Sequence, residues 1–145
     1  MAAVTDEALA ERRLEVVRLH MESENRLAFD ETLATFDHPR YELVATGTVF
    51  DGPDEVMEYY RTSRAAFPDQ RNEIHSLRVT DDAVITEFDL LGTHSGPFLG
   101  IEGTGKEFRV RMCAFFVFED GTDKIAIERI YFDSGTLLGQ LGLSL

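Results

Sequence analysis

Four long stretches in the second half of the chain constrain the fold most. Residues 72–79, 83–93, 107–118 and 124–132 alternate side-chain character with a period of two, the mark of β-strands with two unlike faces. Asp81-Asp82 and Asp120-Gly121-Thr122-Asp123 read as hairpin connections, and the glycine-rich 94–106 as a longer loop. On 107–118 one face runs Phe108, Val110, Met112, Ala114, Phe116, Phe118, while the other carries Arg109, Arg111, Cys113 and Phe115. Parity along the neighbouring strands adds Glu87, Asp89, Arg129, Tyr131 and Asp133 to the second set, with Glu128, Ile130 and Phe132 opposed to it. Two readings of the charged face stay open. It is a wet outer face, as in most antiparallel sheets, or part of it lines a polar pocket under the helices.

The first half is helical. Residues 5–24 carry Ala10, Leu14, Val17 and Met21 as one apolar stripe, with Thr5 as N-cap and Asp6 and Glu7 in the first turn. Phe29, Leu33 and Phe36 continue as a shorter helix, ended by His38-Pro39. Tyr41–Ala45 is a short strand, and Asp51-Gly52-Pro53-Asp54 turns into a third helix with Pro53 at its first position. Helices first and a strand meander later make an α+β pattern. The expectation is one domain over 1–145: about three helices on one face of a curved, mostly antiparallel sheet of about four to six strands.

Charge and composition exclude several functions. A net charge of −13 argues against nucleic acid and anionic membrane surfaces, and against steering an acidic substrate. Cys113 is alone, so no intrachain disulfide forms. No apolar run has the length of a membrane span, and Asp6, Glu7 and Glu11 are unlike a signal peptide, so the expected location is cytoplasmic.

Gly100-Ile101-Glu102-Gly103-Thr104-Gly105-Lys106 imitates a phosphate loop. Glu107 follows where Ser or Thr should hold magnesium, and the loop leads into a strand, so it reads as a turn. His20, His38, His75 and His94 have no metal-ligand spacing. His94 reads as a structural histidine rather than a base. Asp133 lies where the last strand gives way to Ser134-Gly135-Thr136-Leu137. It is either the base of a pocket or the N-cap of a terminal helix, and backbone N–H groups at a cap would lower its pKa.

Gly92-Thr93-His94-Ser95-Gly96-Pro97-Phe98-Leu99-Gly100 resembles the GTHxGxFxG signature of SnoaL-like polyketide cyclases. Thr104-Gly105-Lys106, Asp120-Gly121, Lys124-Ile125, and Asp133 with Leu137-Leu138-Gly139-Gln140-Leu141-Gly142 fit the rest of that pattern, as do Phe50-Asp51-Gly52 and Phe67-Pro68-Asp69. The resemblance implies an NTF2-like cone, a curved sheet wrapped by the N-terminal helices, in a homodimer built on the outer face of the sheet. It also implies aldol cyclisation without a cofactor, with Asp133 in the position of the acid–base aspartate. The chain departs from the pattern at Arg129, where many members carry Trp, at Glu87, where they carry Arg, and in having no His on 107–118.

The leading reading is a small enzyme on an apolar or aromatic carbonyl ligand. Asp133 removes a proton next to the carbonyl, and Tyr131, Arg111 and Arg129 hold the enolate oxygen. Glu87, His94 and Phe115 complete the expected lining, and no metal or cofactor is expected. Two alternatives stand beside it: water activation by a carboxylate–Arg set, as in limonene-epoxide hydrolases, and a non-catalytic ligand-binding or dimerisation module.

Overall fold

A computed structural model describes residues 2–143, with side chains from Asp6 onward. Its elements in chain order are α1 (Ala2–Asn25), α2 (Phe29–Leu33), β1 (Arg40–Leu43), β2 (Thr48–Asp51), α3 (Pro53–Ala66), β3 (Arg71–Val79), β4 (Ala83–Thr93), β5 (Glu107–Phe118), β6 (Ile125–Phe132) and α4 (Ser134–Gln140). The six strands form one open sheet in the order β2-β1-β6-β5-β4-β3. Every pairing is antiparallel except β1 with β6.

The meander is as the alternation predicts. The first half differs in detail. α1 starts at Ala2, so Thr5 falls inside the helix and not at its cap. α2 stops at Leu33, and Phe36 makes an isolated bridge to Ile125 in place of a last helical turn. The hairpin partner of β1, Thr48–Asp51, has four residues, too few for alternation to reveal.

The helices cover the apolar face of the sheet. Phe108, Val110, Met112, Ala114, Phe116 and Phe118 of β5 are all buried. The α1 face that meets them is not purely apolar. Arg13, Val17, His20 and Met21 are its buried side chains up to that turn. Arg13 ties the helix to both hairpin ends: its guanidinium donates to the carbonyls of Thr122 (2.8 Å), Asp81 (3.3 Å) and Glu119 (3.3 Å). It lies 4.9 Å from the Phe118 ring centre.

Several signature residues act as joints. Asp69 accepts from both the amide and the hydroxyl of Thr93, each at 2.7 Å, locking the end of α3 to β4. The amides of Ser95 and Gly96 both donate to Ala66 O, seating the long loop on the same helix end. Phe98 and Ile101 pair across a turn at Leu99 and Gly100, both with positive φ, so the phosphate-loop imitation is a tight turn. Gln140 of α4 stands in for a strand where β6 has ended. Its Oε1 accepts from Arg109 N (2.7 Å), and its Nε2 donates to Arg109 O (3.0 Å). None of the helices among the described residues is long and apolar enough to cross a membrane.

Candidate active site

The expected site residues do not converge. The charged face is the outer one, turned away from the helices, which corrects the reading of it as a pocket lining. Arg111 donates to Asp89 Oδ1 (2.7 Å), and Arg109 to Asp89 Oδ2 (2.8 Å). Arg111, Arg109 and His75 together hold Asp89 well below the ordinary carboxylate range. Arg129 is taken by Glu42 at 2.8 Å. Phe115 packs edge-on against an exposed Tyr131, 5.8 Å between centroids, on that same outer face. Glu87 is exposed opposite Cys113. His94 is buried between Phe67 and Phe98, and its Nδ1 accepts from the Thr104 amide at 3.3 Å. It pins the loop to its own ends.

Asp133 has the geometry of the cap. It is exposed, and its Oδ1 accepts from the amides of Gly135 (3.0 Å) and Thr136 (3.4 Å), while Oδ2 accepts from the Thr136 hydroxyl (2.9 Å). Those bonds, the hydroxyl first, hold its pKa below the ordinary value. The apolar surround expected of it as a base is absent at this surface position. Asp133→Ala should lower the melting temperature by a few degrees while Asp133→Asn leaves it unchanged, because Asn caps about as well as Asp. Equal melting curves for the two variants would contradict a capping role.

The polar convergence lies inside, on the apolar parity of β6. Glu128, 5% exposed, faces the helices. His20 and Glu24 meet it from α1, four residues apart and so on one side of the helix. Tyr41 arrives from β1, in register with Glu128 across the parallel pair, and Tyr60 from α3. Glu128 Oε1 lies 2.7 Å from His20 Nε2, and Glu24 Oε1 lies 3.6 Å from it. The Tyr41 hydroxyl is 2.9 Å from His20 Nε2, 3.3 Å from Glu24 Oε2, and bonded to the Tyr60 hydroxyl. Rings of Phe36 and Phe116 close on the imidazole at 5.5 and 5.0 Å.

The hydrogen bonds fix where protons sit. The Thr35 hydroxyl donates to Thr32 O at 2.6 Å, so it accepts from His20 Nδ1–H at 2.9 Å. In the neutral imidazole, Nε2 is then a lone pair. It faces Glu128 Oε1, which has no other partner. Two acceptors at this distance must share a proton. Burial pushes Glu128 up to about 8 and lowers His20, both favouring the uncharged pair: a carboxylic acid bonded to a neutral imidazole. Burial, with Glu128 beside it, pushes Glu24 up to about 7. Tyr41 and Tyr60 are raised too, chiefly by burial, and stay protonated. Two buried carboxyls raised toward neutrality beside an imidazole meet the condition that general acid–base catalysis asks for.

His20, Glu24 and Glu128 also place one donor atom each within 4.8 Å of one another, the spacing of a metal site. The 2.7 Å contact is closer than two ligands of a tetrahedral ion bound at about 2.1 Å, and fits a shared proton better. The sequence offered two signals for this cluster. Glu128 is a charge on the apolar parity of its strand, and His20 and Glu24 ride on the side of α1 that buries Val17 and Met21.

A cone of helices over a bent, open sheet is the NTF2-like architecture. The chain belongs to the SnoaL-like polyketide cyclase family, whose model matches residues 14–141. Solved structures agree on the fold. AclR from Streptomyces galilaeus, described as a candidate hydroxylase, superposes with TM-score 0.77 at 19% identity, covering 92% of this chain and 97% of that one. IdmH from Streptomyces antibioticus, described as a candidate polyketide cyclase, gives 0.75 at 24%, covering 90% and 99%. An NTF2-like protein of unknown function from Burkholderia pseudomallei gives 0.76 at 15%, covering 90% and 97%. No curated protein matches.

Proposed function

We propose that the protein is an acid–base enzyme of the cyclase or isomerase type, acting on a small carbonyl compound at the interior cluster. The observation that carries this reading is the Glu128–His20 contact: a buried carboxyl and imidazole 2.7 Å apart, with a second carboxyl and two tyrosyl hydroxyls in reach. The family supports the class of reaction. In the proposed step, the Glu128–His20 pair, in its deprotonated form, takes the proton from the carbon next to the carbonyl. The Tyr41 and Tyr60 hydroxyls donate to the enolate oxygen. Glu24, with its side chain 12% exposed, connects the network to solvent and returns the proton.

Two surface depressions, of about 340 and 470 Å³, are lined by residues such as Asp69, Arg71 and Arg109, and Asp6, Arg13 and Asp81. Neither includes a cluster residue.

The test is hydrogen–deuterium exchange at the carbon next to the carbonyl, followed by NMR in D2O over a panel of 1,3-dicarbonyls and aryl ketones. The wild-type chain should accelerate exchange. Glu128→Gln should lose about a hundredfold or more of that rate, and Asp133→Asn should keep it. Loss in Asp133→Asn with full activity in Glu128→Gln would move the base back to the cap and overturn the assignment.

A further inference from the structure

Arg64 stands on α3 one turn after Tyr60, at the edge of the cluster. Its guanidinium lies over the Phe29 ring (5.1 Å) and beside that of Tyr60 (5.9 Å), and these two rings stack at 4.3 Å. Nη1 donates to Ser63 Oγ at 2.9 Å. Nε is buried and has no partner among the described residues, and Nη1 to Ser63 is the one hydrogen bond of the guanidinium among them. The Arg64 charge acts on both Glu24 and Glu128, but neither is hydrogen-bonded to it: Glu128 lies against His20, and Glu24 against His20 and Tyr41.

An unpaired buried guanidinium N–H is costly and calls for an acceptor. The free edge, Nε with Nη2, presents the two parallel N–H groups that match the two oxygens of a carboxylate. Glu24, Phe29 and Arg64 are each part-exposed while Nε itself is buried, so the fork sits just inside the surface. The aromatic pair beside it suits a planar apolar body.

We propose that Arg64 is a carboxylate subsite, and that the substrate class is a small aromatic or apolar keto acid, held by its carboxylate on the Nε–Nη2 edge. The subsite places the adjoining carbonyl toward the tyrosyl hydroxyls, and in this it rests on the acid–base reading of the cluster. The overall charge of −13 opposes an anion at long range. At physiological ionic strength its reach is about 8 Å, which leaves the local fork decisive.

The test uses benzoate and its neutral counterpart, methyl benzoate, titrated against the labelled full chain by NMR at neutral pH and about 0.15 M salt. The wild-type chain should prefer benzoate by tenfold or more. Arg64→Gln should abolish the preference. Arg64→Lys, which keeps the charge without the fork, should lose most of it and serves alone if the Gln variant fails to fold. Asp133→Asn should retain it. No preference in the wild-type chain, or a preference that survives in Arg64→Gln, overturns the proposal. The two readings separate in the same samples. A benzoate preference without deuterium exchange into phenylpyruvate rejects the acid–base centre and keeps the subsite. Exchange into neutral ketones without a benzoate preference does the reverse.

Discussion

Thermal stability should fall by about 2 kcal/mol between about pH 6.5 and 8.5, and Glu128→Gln should remove most of that fall. Glu128 keeps its proton in the folded state up to about 8, against an ordinary value of 4.5. Below the ordinary value both states are protonated, and the group costs nothing. Above it the unfolded chain releases a proton that the folded chain retains, so stability declines with rising pH until Glu128 itself ionises. Glu24, raised to about 7, adds a smaller loss over the same window. His20 works in the other direction. Its lowered pKa means that the unfolded chain gains a proton below about 6.5 that the folded chain does not, so its cost appears only as pH falls. Above about pH 6.5 the carboxyls therefore set the slope. Gln at 128 cannot ionise, and its amide can still donate to His20 Nε2, so the fold should persist. Melting curves across the window check this. A level or rising melting temperature in the wild-type chain would show that Glu128 is already ionised at neutral pH, and the shared-proton account would go with it.

Gly96→Ala should destabilise the chain by about 3 kcal/mol, at the upper end for an overpacked site. A Cβ at Gly96 would lie 2.0 Å from Ala65 O and 3.0 Å from its carbonyl carbon, against the backbone end of α3. That contact cannot relax by a rotamer change. The loop would have to lift from the helix, and the paired bonds from Ser95 N and Gly96 N to Ala66 O would break. Gly100→Ala is the control. It has positive φ but nothing within 4 Å, and should cost only about 1 kcal/mol. Urea midpoints for the two variants give the comparison. Equal costs would mean that the signature glycine answers to backbone conformation alone and not to docking on α3.

The signature loop therefore speaks about architecture. Its glycines, His94 and Thr93 lock the loop and β4 to the end of α3. The pattern identifies the family from the sequence, and the residues that carry it are joints of the fold. Asp133 closes the same pattern, and its carboxylate is spent on the amides of Gly135 and Thr136.

The sequence by itself determined the parts that depend on neighbours in the chain. Period-two alternation placed β3 to β6, Pro53 marked the start of α3, and Asp133 before Ser134-Gly135-Thr136 offered a cap, because each is decided within a few residues by backbone sterics and local hydrogen bonding. Alternation also divided each strand into two faces, but it could not say which face the helices cover. Only the tertiary structure turned Arg109, Arg111 and Arg129 outward to Asp89 and Glu42, and Glu128 inward. His20 and Glu128 are more than a hundred residues apart, and no local rule links them. Their contact exists because β1 pairs parallel with β6 and α1 lies across the sheet, which brings a helix histidine, a strand carboxyl and two tyrosines into one buried volume. Burial there makes the difference: the same carboxyl on the outer face would pair with an arginine and stay ionised, as Asp89 does.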